Sequence, residues 1–450
     1  MSDDLRAKVR DLMPALRSDL EDLVRIQSVS ADPARTGEVW RSADAVAELF
    51  RADGFADVDI VSADGGAPAV IARKPGPEGG PTVVLYAHHD VQPEGDAAEW
   101  DSPPFEPTER ESAQGLRLYG RGAADDKAGI MAHLGVIRAY GDDLPVNVVV
   151  FVEGEEEVGS DTLPALLKEH QERLRADVIV IADSGNWDIG EPALTTSLRG
   201  LVSADIEVRT LGHGVHSGTW GGLVPDAIMT LSRVISSLHD DAGNVAVTGL
   251  VSGPAPDVEY PEERLRAESG AYGSVEWIGD GSVVERLWNR PALTVTGLDA
   301  PKVDGASNTL APVARAKLSL RIAPGDTAAN AVECLRKHCE ANVPWGAQLS
   351  FTVVDKGEPT QIDATGPAYD AARAAFTEAW DGAVPVDMGL GGSIPFIAEF
   401  LEAFPGASVL VTGVEDPDTR AHGPNEGLHL AEFERVVLAE ALLLRNLAAG

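Results

Sequence analysis

Thr82-Val83-Val84-Leu85-Tyr86-Ala87 is an apolar, β-branched run that ends abruptly in His88-His89-Asp90. The same pattern recurs downstream: Val146 to Val152 runs into Glu153-Gly154-Glu155-Glu156-Glu157, and Val178 to Ala182 into Asp183. Apolar residues at helical spacing fill the intervals, at Ala128 to Tyr140 and Asp161 to Arg175, so strands and helices alternate and the expected class is α/β. Ligands of open α/β sheets collect outside the carboxyl ends of strands. Strands that finish in ionisable residues therefore mark one candidate site.

Upstream, Leu5 to Arg25 and Glu38 to Ala52 read as helices, with Pro14 a point where the first can kink. Downstream of about Leu198 the pattern changes to strand Leu201–Val208, helix Val224–His239, strands Leu293–Val295 and Ala314–Ile322, helix Ala328–Ala341 and strand Gln348–Val354. That order is βαββαβ, a ferredoxin-like split unit. The polar stretch Asp240 to Arg290, rich in Gly, Pro and Glu, reads as an insertion within it, without assigned structure. After Gly357, helices Ala368–Trp380 and Ile394–Phe400, strand Ser408–Thr412 and helix Ala431–Leu447 return to the first style. The expected organisation is a catalytic domain of residues 1–197 and 356–450, interrupted by a second domain of residues 198–355.

The chain has 450 residues, which at about 150 per domain agrees with two or three compact units. Its 36 Lys and Arg against 72 Asp and Glu give a formal charge of −36, a field that opposes nucleic acid as a partner. No apolar run approaches the length of a membrane span, and the acidic start Met1-Ser2-Asp3-Asp4 lacks the apolar core of a secretory signal. A cytoplasmic protein is expected. Cys334 and Cys339, the two cysteines, fit neither a disulfide framework nor a zinc finger.

The chemistry-bearing segments are separate in sequence. His88 can offer a neutral ring nitrogen to a metal, with Asp90 to orient it and His89 as the competing ligand. In Gly120-Arg121-Gly122-Ala123-Ala124-Asp125-Asp126-Lys127, one of two adjacent carboxylates can bridge a pair of cations. Asp125 is the candidate bridge, and a helix cap before Ala128 is the competing explanation. The crowding of carboxylates after Val152 raises the pKa of some of them unless cations neutralise the group, so a metal ligand, Glu157, beside a general base, Glu156, accounts for it. Asp183 and His422 are unremarkable singly. Together His88, Asp125, Asp183, Glu157 and His422 form the nitrogen and oxygen set that suits two divalent ions, zinc first, with manganese or cobalt as alternatives.

The segments His88-x-Asp90-Val91-Gln92-Pro93, Gly120-Arg121-Gly122 with Asp125-Asp126-Lys127, Glu153-Gly154-x-Glu156-Glu157-x-Gly159-Ser160 and Ala421-His422 with Pro424-Asn425-Glu426 resemble the carnosinase-like zinc dipeptidases of the aminoacylase, carboxypeptidase and succinyl-diaminopimelate desuccinylase superfamily. The resemblance runs nearly end to end. It implies a mixed-sheet, hydrolase-like α/β catalytic domain with an inserted ferredoxin-like lid and dimerisation domain. One metal is implied at His88, Asp125 and Asp183, and another at Asp125, Glu157 and His422, with a cis peptide joining Asp125 to Asp126. Glu156 is implied to take a proton from the attacking water and pass it to the leaving amine, with Asp90 steadying His88.

The same resemblance promotes His216 of Gly214-Val215-His216-Ser217-Gly218, otherwise only a histidine in a Gly-rich turn, to an oxyanion stabiliser acting in trans within a homodimer. It makes Arg321 the grip on the substrate's terminal carboxylate, places Thr309 nearby, and offers Gly392 and Ser393 of the Gly-rich loop as further contacts. Two departures stand out. Gly389-Leu390 occupies the place of a charged pair in several of these dipeptidases, and Lys127-Ala128-Gly129 replaces Lys-Gly. The expected activity is hydrolysis of the amide bond of a dipeptide with a free carboxylate. An amidohydrolase acting on N-acyl or N-carbamoyl amino acids is the alternative, and a non-catalytic binder a third reading that the presence of Glu156 opposes. Metal-assisted phosphoester cleavage lacks the basic cluster it needs.

Overall fold

The computed structural model describes residues 2–254, 256–392 and 395–449. Two compact units divide the chain: Met1–Thr196, Ile362–Met388 and Pro395–Gly450 form the first, and Ser197–Gln361 with Gly389–Ile394 the second. Residues 197, 356–361 and 389–392, expected in the first domain, group with the second. Strand Gln348–Gly357 runs on past Val354, and Thr360–Gln361 pairs with Leu198 and Ser197.

The first unit is built on a mixed sheet in the order Asp57–Val61, Ala69–Lys74, Asn147–Glu153, Thr82–His88, Val178–Ile181, Ser408–Val411, Ala193–Leu198. Thr82–His88, Asn147–Glu153, Val178–Ile181 and Ser408–Val411 are parallel. Their Val, Leu and Ile side chains are buried almost throughout, as expected of strands covered on both faces. Helix Lys127–Tyr140, almost wholly buried, lies among Thr82–His88, Ser2–Val24 and Leu430–Ala449. The first helix runs through Pro14, and the stretch read as one helix from Asp161 to Arg175 is two, Leu163–Glu169 and Gln171–Leu174. The polar hairpin Thr108–Ser112 with Gly115–Tyr119, joined by Gly427–His429, has no counterpart in the sequence reading. Thr108–Ser112 alternates half-buried and exposed positions, but its residues, Thr-Glu-Arg-Glu-Ser, are all polar, so no apolar period marks the strand.

The second unit has the predicted βαββαβ order. Its antiparallel sheet runs Ala292–Asp299, Val313–Ile322, Gly200–Arg209, Gln348–Gly357, the ferredoxin-like arrangement. Val202, Ile206, Val208, Leu318, Leu320 and Ile322 bury one face against helices Ala227–Ser237 and Ala328–Asn342, following the period-two alternation of a half-covered sheet. Cys339 is in this core, and both cysteines are free thiols. The Asp240 to Arg290 stretch holds helix Glu262–Ser269 and a π-helical turn Glu285–Asn289.

Candidate metal centre

Strand register delivers the ligands. His88 pairs with Glu153 across one parallel ladder and Tyr86 with Ile181 across the other. The residues following those strands, Glu156, Glu157 and Asp183, therefore emerge at the edge of the sheet where His88 ends its strand.

His88 is fully buried, and its Nδ1 lies 3.0 Å from the Asp90 carbonyl oxygen and 3.4 Å from Asp90 Oδ1. The Asp90 carboxylate accepts from the backbone N–H of Glu156 at 3.2 Å and of Glu157 at 3.1 Å. One buried acid thus ties the histidine to the turn carrying the expected base. The opposite ring nitrogen, Nε2, lies 3.1 Å from Asp125 Oδ1 and 3.8 Å from Asp183 Oδ1. The other Asp125 oxygen, Oδ2, is 3.0 Å from His422 Nε2, which is 3.3 Å from Glu157 Oε2. Among the described residues, two groups bring ligand atoms within 4.8 Å of one another: His88, Asp125 and Asp183, and Asp125, Glu157 and His422. Asp125 belongs to both.

The Asp125 loop is held by a residue to which the sequence reading gave no role. Glu426, fully buried, accepts from the N–H of Gly122 at 3.0 Å, Ala124 at 2.9 Å and Asp125 at 3.1 Å, and from Arg121 Nη1 at 2.7 Å. It therefore ties the loop bearing the bridge to the loop bearing His422. A base and an acid in two short motifs, Arg121 between two glycines and Glu426 after Pro424-Asn425, were the available sign of this pair. Gly122 has φ +79°, and a Cβ there would lie 2.5 Å from Val91 Cγ1, so this turn needs glycine. The Asp125–Asp126 peptide is cis. Asp126 stands at the helix N-cap position but makes no capping hydrogen bond; its Oδ2 accepts from His88 N at 3.2 Å, so the capping explanation for this pair is not met. His422 has φ +63° and Asn425 φ +61°, conformations that L-residues adopt rarely and keep where surroundings impose them. Asn425 does so by bonding Asp101 N and Glu99 O.

The crowded acids sort by partner. Glu155 accepts from Ala67 N, Thr162 N and Thr162 Oγ1, and Glu153 from the Tyr86 hydroxyl, so both are structural. Glu157 accepts from Gln92 N at 3.0 Å and Gln92 Nε2 at 2.7 Å, which aims its carboxylate. Glu156 makes no side-chain hydrogen bond among the described residues. Burial, with repulsion from Asp183, Glu157 and Asp90, raises the Glu156 pKa well above the ordinary carboxylate value. Burial pushes Asp183 up to about 7, His88 opposing and Asp125 and Glu157 adding to the rise. Hydrogen bonds to Asp125 and Glu157 push His422 up to about 11. Burial lowers His88, yet its bonds to Asp125 and Asp90 carry it well above its usual value. Carboxylates held this close, with imidazoles forced to carry protons, form a donor set that two divalent cations fit.

In the second unit, strand Val215–His216 pairs with Thr309–Leu310, and the register sets His216 opposite Thr309. His216 is exposed, and its Nδ1 accepts from Gly218 N at 3.0 Å, leaving Nε2 outward. Arg321 is half-buried on the strand Val313–Ile322. Gly392 is exposed. Ser393 lies outside the described residues.

The profile of peptidase family M20/M25/M40 matches residues 84–446. The chain is 36% identical to the cysteinylglycine-S-conjugate dipeptidase of Corynebacterium striatum over 81% of its own length and 80% of that protein's. It is 29% identical to the Beta-Ala-His dipeptidase of Rattus norvegicus over 80% of this chain and 76% of the other. The solved structure of the dipeptidase Dug1p from Saccharomyces cerevisiae superposes with a TM-score of 0.82 at 26% identity, covering 100% of this chain and 99% of that one.

Proposed function

The chain belongs to peptidase family M20/M25/M40, and from that premise we propose that it is a metal-dependent dipeptidase cleaving the amide bond of a dipeptide with a free terminal carboxylate. The observation that carries the reading is the pair of ligand groups sharing Asp125, with the unbonded carboxylate of Glu156 beside them. Two divalent cations, when bound, polarise the scissile carbonyl and acidify the attacking water. His88, Asp125 and Asp183 would hold one, and Asp125, Glu157 and His422 the other, zinc being the first choice for this set of nitrogen and oxygen donors.

The protein's own groups do the rest. Glu156 takes a proton from water and returns it to the leaving amine. Asp90 fixes the His88 ring, and Gln92 fixes the Glu157 carboxylate. Residues 198–355 act as lid and dimerisation domain in a cytoplasmic homodimer. There His216 supplies an oxyanion donor to the other subunit, with Thr309 beside it, and Arg321 grips the terminal carboxylate, aided by the Gly392-Ser393 loop. A panel of dipeptides and N-acetyl amino acids, assayed with zinc, manganese and cobalt, tests the activity. Dipeptides are expected to be cleaved, and turnover of acyl amino acids alone would replace the reading by the deacylase.

A further inference from the structure

Among the described residues, Arg199 is a buried cation without a counter-ion. It is 9% exposed, and among the described residues its buried Nε has no hydrogen-bond partner and its one side-chain bond is a long contact of 3.5 Å from Nη1 to the Arg286 carbonyl. No carboxylate pairs with it among the described residues. A guanidinium stripped of water and left unpaired is costly. Burial, and then the charge of Arg321, push its pKa down to about 10.

The sheet of the second unit explains the pairing of like charges. Arg321 stands opposite Leu201, and Ile322 opposite Gly200. Val202 and Leu320 point into the helical core, so Leu201 and Arg321 share the other face; Arg199 sits just before the strand, next to Gly200, which pairs with Ile322, and is near enough to Arg321 for the two charges to repel. The Arg199 N–H donates to the Leu390 carbonyl at 3.1 Å, and a Cβ on Gly391 would lie 2.9 Å from Arg199 Nη2. This loop, Gly389-Leu390-Gly391, brings backbone and apolar atoms to Arg199 and no acid. It is the segment whose charged pair is missing from the sequence.

We propose that Arg199 is a specificity residue that binds a second substrate carboxylate, the side chain of an aspartate or glutamate at the carboxyl-terminal position, while Arg321 holds the terminal carboxylate. The inference rests on the dipeptidase reading given above. One planar guanidinium satisfies one carboxylate by a bidentate pair, so two neighbouring arginines that no acid pairs among the described residues call for two acceptors. A second carboxylate on the same residue is the chemistry that brings both. A site built to bond a charged group also rejects the isostere lacking that charge, because its own buried group is then left unpaired.

The test uses the metal-loaded enzyme and the isosteric pairs Ala-Glu with Ala-Gln and Ala-Asp with Ala-Asn. The ratio of kcat/KM, acid over amide, is expected to be about 10- to 100-fold, the range of a charged hydrogen bond, and to fall to near one in Arg199→Met. A wild-type ratio near one, or a ratio unchanged in Arg199→Met, overturns the proposal. Should that variant not fold by circular dichroism, Arg199→Lys decides, since it keeps the charge and loses the fork: a lowered ratio supports the proposal and an unchanged one overturns it. If N-acetyl amino acids are cleaved and dipeptides are not, the dipeptidase reading fails, and N-acetyl-Glu against N-acetyl-Gln puts the same question to Arg199.

Discussion

The cluster around Asp125 and the pair Arg199 and Arg321 depart from electroneutrality in opposite directions. In the first unit, Asp125, Asp183, Glu156 and Glu157 crowd two histidines, and the excess is negative. In the second, the neighbouring guanidiniums of Arg199 and Arg321 have no acid paired with either among the described residues. Burying uncompensated charge is unfavourable in either sign. Each region is therefore shaped for what it lacks, cations in one and carboxylates in the other. The two differ in support: the acid cluster is braced by Glu426, Gln92 and Asp90, whereas the Arg199 side chain has one long bond among the described residues. Bracing of that kind keeps ligand atoms in place, and a side chain that waits for its partner does not need it.

The sharpest way to break the comparison is to remove the base while leaving the ligands. Glu156→Gln is expected to retain two metals per chain by elemental analysis and to lose about 10²- to 10⁴-fold in kcat, the usual worth of a positioned base. Undiminished turnover would take Glu156 out of the mechanism. The same variant, mixed with inactive His216→Ala, also tests whether the two regions cooperate between subunits. Recovered activity after verified subunit exchange is expected, and none would count against sharing.

A smaller effect is expected from the brace. Glu426→Gln keeps the shape but weakens the bonds to Gly122, Ala124, Asp125 and Arg121, and loss of such outer partners costs about 10- to 100-fold in metal affinity. Competition titration with a chelator measures it. Affinity equal to wild type would mean that the loop holds its place without the carboxylate.

Legibility in the sequence followed the same division. The α/β class and the βαββαβ order were readable because strand and helix periods are local patterns, and His88 and the acids after Val152 stood out as strand ends; the ligand sets that join Asp125, Asp183 and His422 to them were implied by the family resemblance. Glu426 was not readable, because its role depends on three backbone donors from a loop some three hundred positions away. His216 and Thr309 face each other across a two-residue ladder too short to leave a periodicity. The helix expected at Val224–His239 is Ala227–Ser237: Asp226 caps it through Met229 N, and a side-chain cap outranks apolar spacing in setting where a helix begins. Arg199 looked ordinary in sequence, since the missing partner of a buried charge appears only once burial is known.

The mildest perturbation is pH, and here the sign follows from the histidines. In the metal-free protein His422 stands at about 11 against an ordinary 6.5, through Asp125 and Glu157, and His88 is also raised. Stability from the His422 ion pairs is thus fully present below about 6.5 and is lost as pH rises through about 11, and that from His88 is likewise lost as pH rises through its raised pKa. Metal ligation requires neutral imidazole, so loading at pH 7 displaces protons from both rings. Metal affinity is expected to rise by about tenfold per pH unit for each proton displaced. The slope should be steepest below about 7, where Asp183 also carries a proton that must leave. Titration calorimetry of zinc into stripped protein, in buffers of different ionisation enthalpy, counts the protons directly. No proton release at pH 7, or an affinity that falls as pH rises, would show that the rings are already free of Asp125, and the negative excess on which the comparison turns would then be smaller than the geometry requires.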